Sequence, residues 1–180
     1  MSTPIIAVRA PFDAVLHHIA PLGAATAAGT ALVVDLDGAP TAYRGETLAD
    51  LAEDGVRRRH LAPDRTGVAV LGRGAIDRAG ALALLDRLAP GWPAVVVRCS
   101  SDDGVRNVPG VTVRVPLPGT VGDRTPDLVV WQRLSAAQQV PGLSLPPPGR
   151  RRVVHMLDGR VDPRWRWVKA WREVWEEAWD

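Results

Sequence analysis

Thr30 to Pro40 reads Thr-Ala-Leu-Val-Val-Asp-Leu-Asp-Gly-Ala-Pro. Leu32 to Val34 is a run of residues that favour extended backbone. It ends in two carboxylates, Asp35 and Asp37, followed by Gly38 and Pro40. A buried parallel strand delivers acidic groups in this way to the carboxyl edge of a sheet, where α/β proteins place their ligands. The flanking segments read as a scaffold around that edge.

Before this strand, Ile5 to Ala10 is a short apolar run with the character of a first strand, broken by Pro11-Phe12-Asp13. Ala14 to Ala28 is an Ala-rich helix with Val15, Leu16, Ile19 and Leu22 as apolar positions. Pro21 and Gly23 predict that it kinks or stops early. After the strand, Thr47 is placed to cap a helix from Leu48 to Arg59, with Leu48, Leu51, Ala52 and Val56 on one face. Gly67 to Leu71 reads as a third strand, and Asp77 to Leu88 as a helix stopped by Pro90-Gly91. Ala94 to Val97 is a fourth strand. Ser100 to Gly110 is polar and too short for a full crossover helix. Val111 to Val115 is a fifth strand, placed at an edge by Pro116 and Pro118.

Thr125-Pro126-Asp127 supplies a cap and a first-turn proline for a helix running to about Gln139. Residues 141–150 form a Pro-rich connector. Val153 to Leu157 reads as a sixth strand and Pro163 to Trp179 as the last helix. The alternation predicts a single α/β domain over residues 1–180. It has three layers, with a mainly parallel sheet of about five or six strands and helices on both faces. Asp35, Gly72, Arg98 to Ser101 and Asp158 are then expected at one edge.

Composition narrows the classes. Hydrophobic residues make up 46% and charged residues 23% of 180 residues, values that argue against a disordered chain. No apolar run reaches the roughly 20 residues of a membrane span, and the first residues lack the pattern of a secretory signal. One cysteine, Cys99, excludes an internal disulfide, and the expected location is cytoplasmic. The 22 basic residues are 21 arginines and one lysine, Lys169, with a net charge of +2. Arg57-Arg58-Arg59-His60 and Arg150-Arg151-Arg152 are the two clusters. Without an aromatic platform or a helix-turn-helix pattern, they read as solvated surface rather than a nucleic-acid site.

The strand order, together with Val33-Val34-Asp35-Leu36-Asp37-Gly38, resembles the deviant P-loop ATPases of the ParA/MinD type. There a first strand leads into a Gly-rich phosphate loop, the second ends in a comparable acidic motif, and a later strand, here Ala94 to Val97, carries Walker B. The resemblance covers about Ile5 to Val115 and implies a nucleotide-binding fold. This chain departs from it at Ala10-Pro11-Phe12-Asp13, which lacks the glycines and lysine that bind phosphate. Pro11 removes a donor, Asp13 repels phosphate, and Arg98 stands at the Walker B position. The expectation is a degenerate, non-hydrolysing relative with no cofactor, acting through protein contacts.

Asp35-x-Asp37 also resembles the first motif of the haloacid-dehalogenase phosphatases, which implies an alternative enzyme. In that reading Asp35 is the nucleophile, Asp37 the acid/base, and Mg is held by Asp35, Asp37, Asp158 and Asp162. Ser100 would bind phosphate and Arg133 would replace the family's lysine. Ala39 departs from the usual Thr or Val, and the motif does not sit on the first strand. The histidines offer no metal spacing: His17 and His18 point roughly 100° apart on a helix. Cys99 reads as a small buried hydrophobe.

Five of the seven tryptophans fall after residue 164. On a helix, Trp167, Val168, Trp171, Val174, Trp175, Ala178 and Trp179 share an arc of about 140°. That face either docks on the chain's own sheet or forms a partner-binding surface of Trp167, Trp171, Trp175 and Trp179 for a protein or a second copy. Glu173, Glu176, Glu177 and Asp180 argue against a membrane surface.

Overall fold

In the computed structural model, residues 3–37, 43–63, 66–100, 105, 108–116 and 128–179 are described, the side chain of Trp179 excepted. Seven strands among them form one sheet: β1 (Ile5–Arg9), β2 (Ala31–Asp35), β3 (Val68–Leu71), β4 (Val95–Arg98), β5 (Gly110–Arg114), β6 (Leu128–Gln132) and β7 (Ser144–Leu145). Their order is β3-β2-β4-β1-β5-β6-β7 and every pairing is parallel. The expected α/β layered fold is therefore present, with one more strand than the upper end of the expected range. The all-apolar runs explain the parallel pairing, since strands covered on both faces cannot alternate with polar residues. All five residues of β2 are buried.

The helices are α1 (Ala14–Ala28), α2 (Leu48–Asp54), α3 (Arg58–Leu61), α4 (Arg78–Leu88), α5 (Arg150–Leu157) and α6 (Arg166–Trp179). Two apolar clusters fill the space on either side of the sheet. One joins α1 and α6 to Val8, Val33, Val96, Val111 and Val130. The other joins α2 and α4 to Leu32, Val34, Leu71, Val95 and Val97. Successive strand residues point to opposite faces, so the alternation Val33/Val34 and Val96/Val97 assigns the two clusters.

Several expectations need correction. Thr47 caps α2 as expected, its hydroxyl accepting from the Asp50 N–H (3.2 Å) while Asp50 accepts from the Thr47 N–H. The predicted helix to Arg59 instead breaks at Gly55, whose φ of 84° is left-handed backbone that favours glycine. Pro21 does not stop α1, which continues to Ala28. Val111 to Val115 is not an edge strand, because β5 lies between β1 and β6. The start of the predicted helix at Thr125 lies outside the described residues, and Leu128–Gln132 is strand β6. Its Leu-Val-Val-Trp run prefers a pleated, half-buried surface to a helix. The Pro-rich connector contains β7. Val153 to Leu157 is not a strand but the second half of α5. Val153 is half-buried and Met156 buried on one side, with Val154 and Leu157 outward, a helical three-residue spacing.

Candidate functional site at the carboxyl edge

Asp35, the last residue of β2, and Arg98, the last of β4, are register partners on neighbouring strands. Their side chains fall on the same face, and Arg98 Nη1 donates to Asp35 Oδ1 at 2.8 Å. Asp35 is fully buried, and this guanidinium lies against it as a counter-charge. Asp35 Oδ1 also accepts the Asp37 N–H at 3.0 Å, the turn expected of an aspartate two residues before its donor.

Asp37 is the hub of the second layer. His17 Nε2 lies 2.5 Å from Asp37 Oδ2, and Arg98 Nη1 lies 3.3 Å from the same oxygen. The other oxygen accepts from the Ser100 N–H (2.7 Å) and hydroxyl (2.8 Å). Burial alone would raise the pKa of Asp37. The hydrogen bonds from His17 and Ser100, with the Arg98 charge behind them, outweigh burial and hold it well below the usual carboxylate range. The Ala10 N–H donates to His17 Nδ1 at 3.3 Å, which leaves Nε2 to carry the hydrogen given to Asp37.

Pro21 explains the third contact of Arg98. A proline has no N–H to give the carbonyl four residues back, so in α1 it leaves the His17 oxygen without its helical donor. Arg98 Nε donates to that oxygen at 3.0 Å. One guanidinium thus ties β2, β4 and α1 together. On its far side, the Tyr43 hydroxyl donates to the His18 carbonyl at 2.7 Å, and the two rings lie 4.8 Å apart. Burial, and next the Arg98 charge, push the His18 pKa down. Burial drives the Tyr43 hydroxyl well above its ordinary range. His18 and Tyr43 line a cleft of about 980 Å³ that also touches Arg44, Val68, Val70 and Arg160.

The turn from β1 into α1 is closed by its own groups. The Asp13 N–H donates to the Ala10 carbonyl (3.2 Å), and the Asp13 carboxylate accepts the Leu16 N–H (2.9 Å). A negative charge already occupies the helix start, the place where a phosphate loop would hold its anion.

Chemically, these contacts leave little to react. Ser100 and His17 both bond to Asp37 rather than to each other, so the histidine does not activate the serine. Both His17 nitrogens are engaged. Asp35 is buried in an ion pair instead of presented as a nucleophile. Asp158 follows helix α5, not a strand; it pairs with Arg160 at 3.0 Å, and Asp162 accepts the Arg164 N–H. Among the described residues no three His, Cys, Asp or Glu side chains are grouped to hold a metal ion, so Asp35, Asp37, Asp158 and Asp162 do not gather into one.

The aromatic face of α6 turns inward. Trp167 and Trp171 are buried against α1, with rings 5.9 Å apart in an edge-to-face pair, and Trp167 Nε1 donates to Gln132 at 2.7 Å. Trp175, half-buried, donates to the Ala24 carbonyl at 2.9 Å. The expected partner-binding face is thus corrected for Trp167 and Trp171, whose surface is spent on the chain's own core. The Trp179 side chain lies outside the described residues.

Sequence reasoning did not find the roles of His17, Arg98 and Tyr43. Arg98 after a buried apolar strand facing Asp35 after another was the available signal, since a buried charge requires a counter-charge. Tyr43 left none.

No protein-family model matches the chain, and no curated protein matches it. Among solved structures it is similar to cobyrinic acid a,c-diamide synthase from Mycobacterium smegmatis, determined with bound ADP and magnesium. The identity is 18%, with 97% of this chain and 93% of that chain covered at a TM-score of 0.47.

Proposed function

We propose that this chain is a non-catalytic accessory protein, built on a degenerate ParA/MinD-like nucleotide-binding fold and acting through protein contacts. The observation that carries the reading is the satisfied part of the carboxyl edge between β2, β4 and α1. Asp35 and Asp37 are bonded to Arg98, His17 and Ser100, and the Asp13 carboxylate caps α1 where a phosphate loop would bind. Hydrolysis of a phosphoester needs a free nucleophile or metal-binding carboxylate, and a cationic cradle for phosphate. The surface offered to a protein partner or a second copy is the outer side of α6, with exposed Arg166, Lys169, Arg172, Glu173, Glu176 and Glu177.

The test is turnover of ATP and of a generic phosphoester with magnesium, using the full chain. No rate above blank is expected. Magnesium-dependent turnover that disappears in Asp35→Asn would overturn the proposal. A pull-down with the full chain, repeated with charge reversals at Glu173 and Glu176, tests the partner surface, and unchanged recovery of every bound protein would remove α6 from it.

A further inference from the structure

Arginine recurs where the strands end. Arg9 closes β1, Arg98 closes β4, Arg114 closes β5, and Arg133 follows β6 directly. Arg98 is consumed by Asp35 and Asp37. The other three belong to a different place. Arg9 and Thr112 are register partners, as are Arg114 and Trp131. Thr112 and Arg114 are two apart on one strand. Trp131 and Arg133 have the same spacing, and the pleat persists through Arg133, whose N–H donates to the Leu145 carbonyl (3.0 Å). Register and period therefore place Arg9, Thr112, Arg114, Trp131 and Arg133 on a single face of the sheet.

That face is the one opposite α1 and α6, since Val8, Val111, Val113 and Val130 point to those helices. Among the described residues, α2 and α4 cover the β2, β3 and β4 side of it. Thr112, Arg114, Val129 and Trp131 belong to neither apolar cluster. The three arginine Cα positions step diagonally across β1, β5 and β6, each about 8 Å from the next. Arg114 and Arg133 are therefore diagonal neighbours on that face.

The hydrogen-bond accounting singles out the same arginines. Four buried side-chain polar atoms of the described residues have no partner: Nε of Arg73, Arg114 and Arg133, and Trp171 Nε1. Arg73 stands apart, beyond β2 on the other half of the sheet. Among the described residues neither Arg114 nor Arg133 has a carboxylate partner within an ion pair. Arg9 is held in place by Nε donation to Thr112 Oγ1 at 3.0 Å. Two buried donors without acceptors, on neighbouring arginines at the edge where parallel sheets receive ligands, point to an acceptor-rich anion.

We propose that Arg114 and Arg133 form a binding site for a small oxyanion with at least two phosphate or carboxylate groups. A guanidinium offers such a group paired N–H donors, and among the described residues the one hydrogen-bond partner of these two side chains is the Ala136 carbonyl, which accepts from Arg133 Nη1 at 3.5 Å. This site lies on the opposite face of the sheet from the Asp35, Asp37 and Arg98 network and does not depend on that network being inactive.

Titration calorimetry on the full chain at low salt, with pyrophosphate and with citrate as probes, tests it. Wild type is expected to bind at least one probe at one site, and their affinity ratio distinguishes phosphate from carboxylate as the preferred group. Arg114→Gln and Arg133→Gln should each weaken binding by about tenfold or more, while Arg164→Gln, on the exposed loop before α6, should leave it unchanged. If Arg114→Gln fails to fold, Arg114→Lys keeps the charge without the fork, and a severalfold loss is expected. Absence of binding to either probe by wild type, or wild-type affinity retained in both Gln variants, overturns the site.

Discussion

Arg98 holds the carbonyl oxygen that Pro21 deprives of its helical donor. The guanidinium reaches the His17 oxygen through Nε at 3.0 Å and Asp35 through Nη1 at 2.8 Å. An interior proline costs a helix about 3 kcal/mol, in part through a stranded acceptor, and here a strand residue supplies the missing hydrogen.

This predicts coupling between two residues that are distant in sequence. Arg98→Lys should destabilise the fold by about 3–5 kcal/mol, since it leaves buried Asp35 poorly paired. Pro21→Ala restores an N–H for the His17 carbonyl, so part of the Arg98→Lys loss should vanish in that background. A double-mutant cycle in urea should give a coupling of about 0.5 kcal/mol or more. A coupling of zero would show that the Nε contact carries no energy.

Acid should act on Asp37. Its folded pKa lies below its unfolded value, because the bonds from His17 and Ser100 outweigh burial. Such a group stabilises the fold fully above the unfolded value of about 3.9, and that contribution is lost as pH falls through the lower folded value. Asp37→Asn should therefore be less stable than wild type at pH 7, by about 2 kcal/mol. The gap should narrow progressively below about pH 4. Denaturation midpoints measured from pH 7 down to pH 2 check it; a gap that stays constant would place the stabilisation elsewhere.

Gly23→Ala sets helix propensity against packing. Alanine gains up to about 1 kcal/mol in a helix interior. A Cβ at Gly23 would lie 2.1 Å from Trp167 Cζ3 and 2.9 Å from Trp171 Nε1. Both rings are buried and cannot swing away, so a net loss of about 1–3 kcal/mol is expected, smaller in a Trp167→Phe background. A stabilised Gly23→Ala would mean that α6 yields easily.

Truncation before Pro163 should abolish cooperative unfolding. It removes Trp167, Val168, Trp171 and Val174, each at most 1% exposed, and bares the outer side of α1. Thermal melts followed by circular dichroism decide the matter. A truncated chain that still melts sharply would return the aromatic face to the role of a surface for partners.

The elements most readable in the sequence are those where several signals agree. Thr30 to Asp35 has β-formers, a terminal carboxylate and turn residues beyond it, and α6 has a full helical stripe of tryptophans. Val153 to Leu157 and Leu128 to Gln132 were ambiguous for the opposite reason. Five apolar-rich residues fit either period, and flanking caps do not outweigh tertiary packing. The candidate site was half visible. Asp35 and Asp37 stand out by position, but their partners lie 63 and 20 residues away and are chosen by strand order and the rotation of α1. The arginines that end β1, β5 and β6 are plain in the sequence as letters. Their meeting on one face follows only from register.

The central position of β1 fixes the order in which the molecule can assemble. Its neighbours begin at Val95 and Gly110, and the last aromatic clasp, Trp175 on Ala24, joins residues 151 apart. A nascent chain therefore emerges with both edges of its first strand unpaired. At ordinary ribosomal speeds, roughly 10–30 s pass before α6 is available to cover α1. Contacts this distant in sequence close slowly, so pairing of both edges of β1 waits until Gly110–Arg114 has been made.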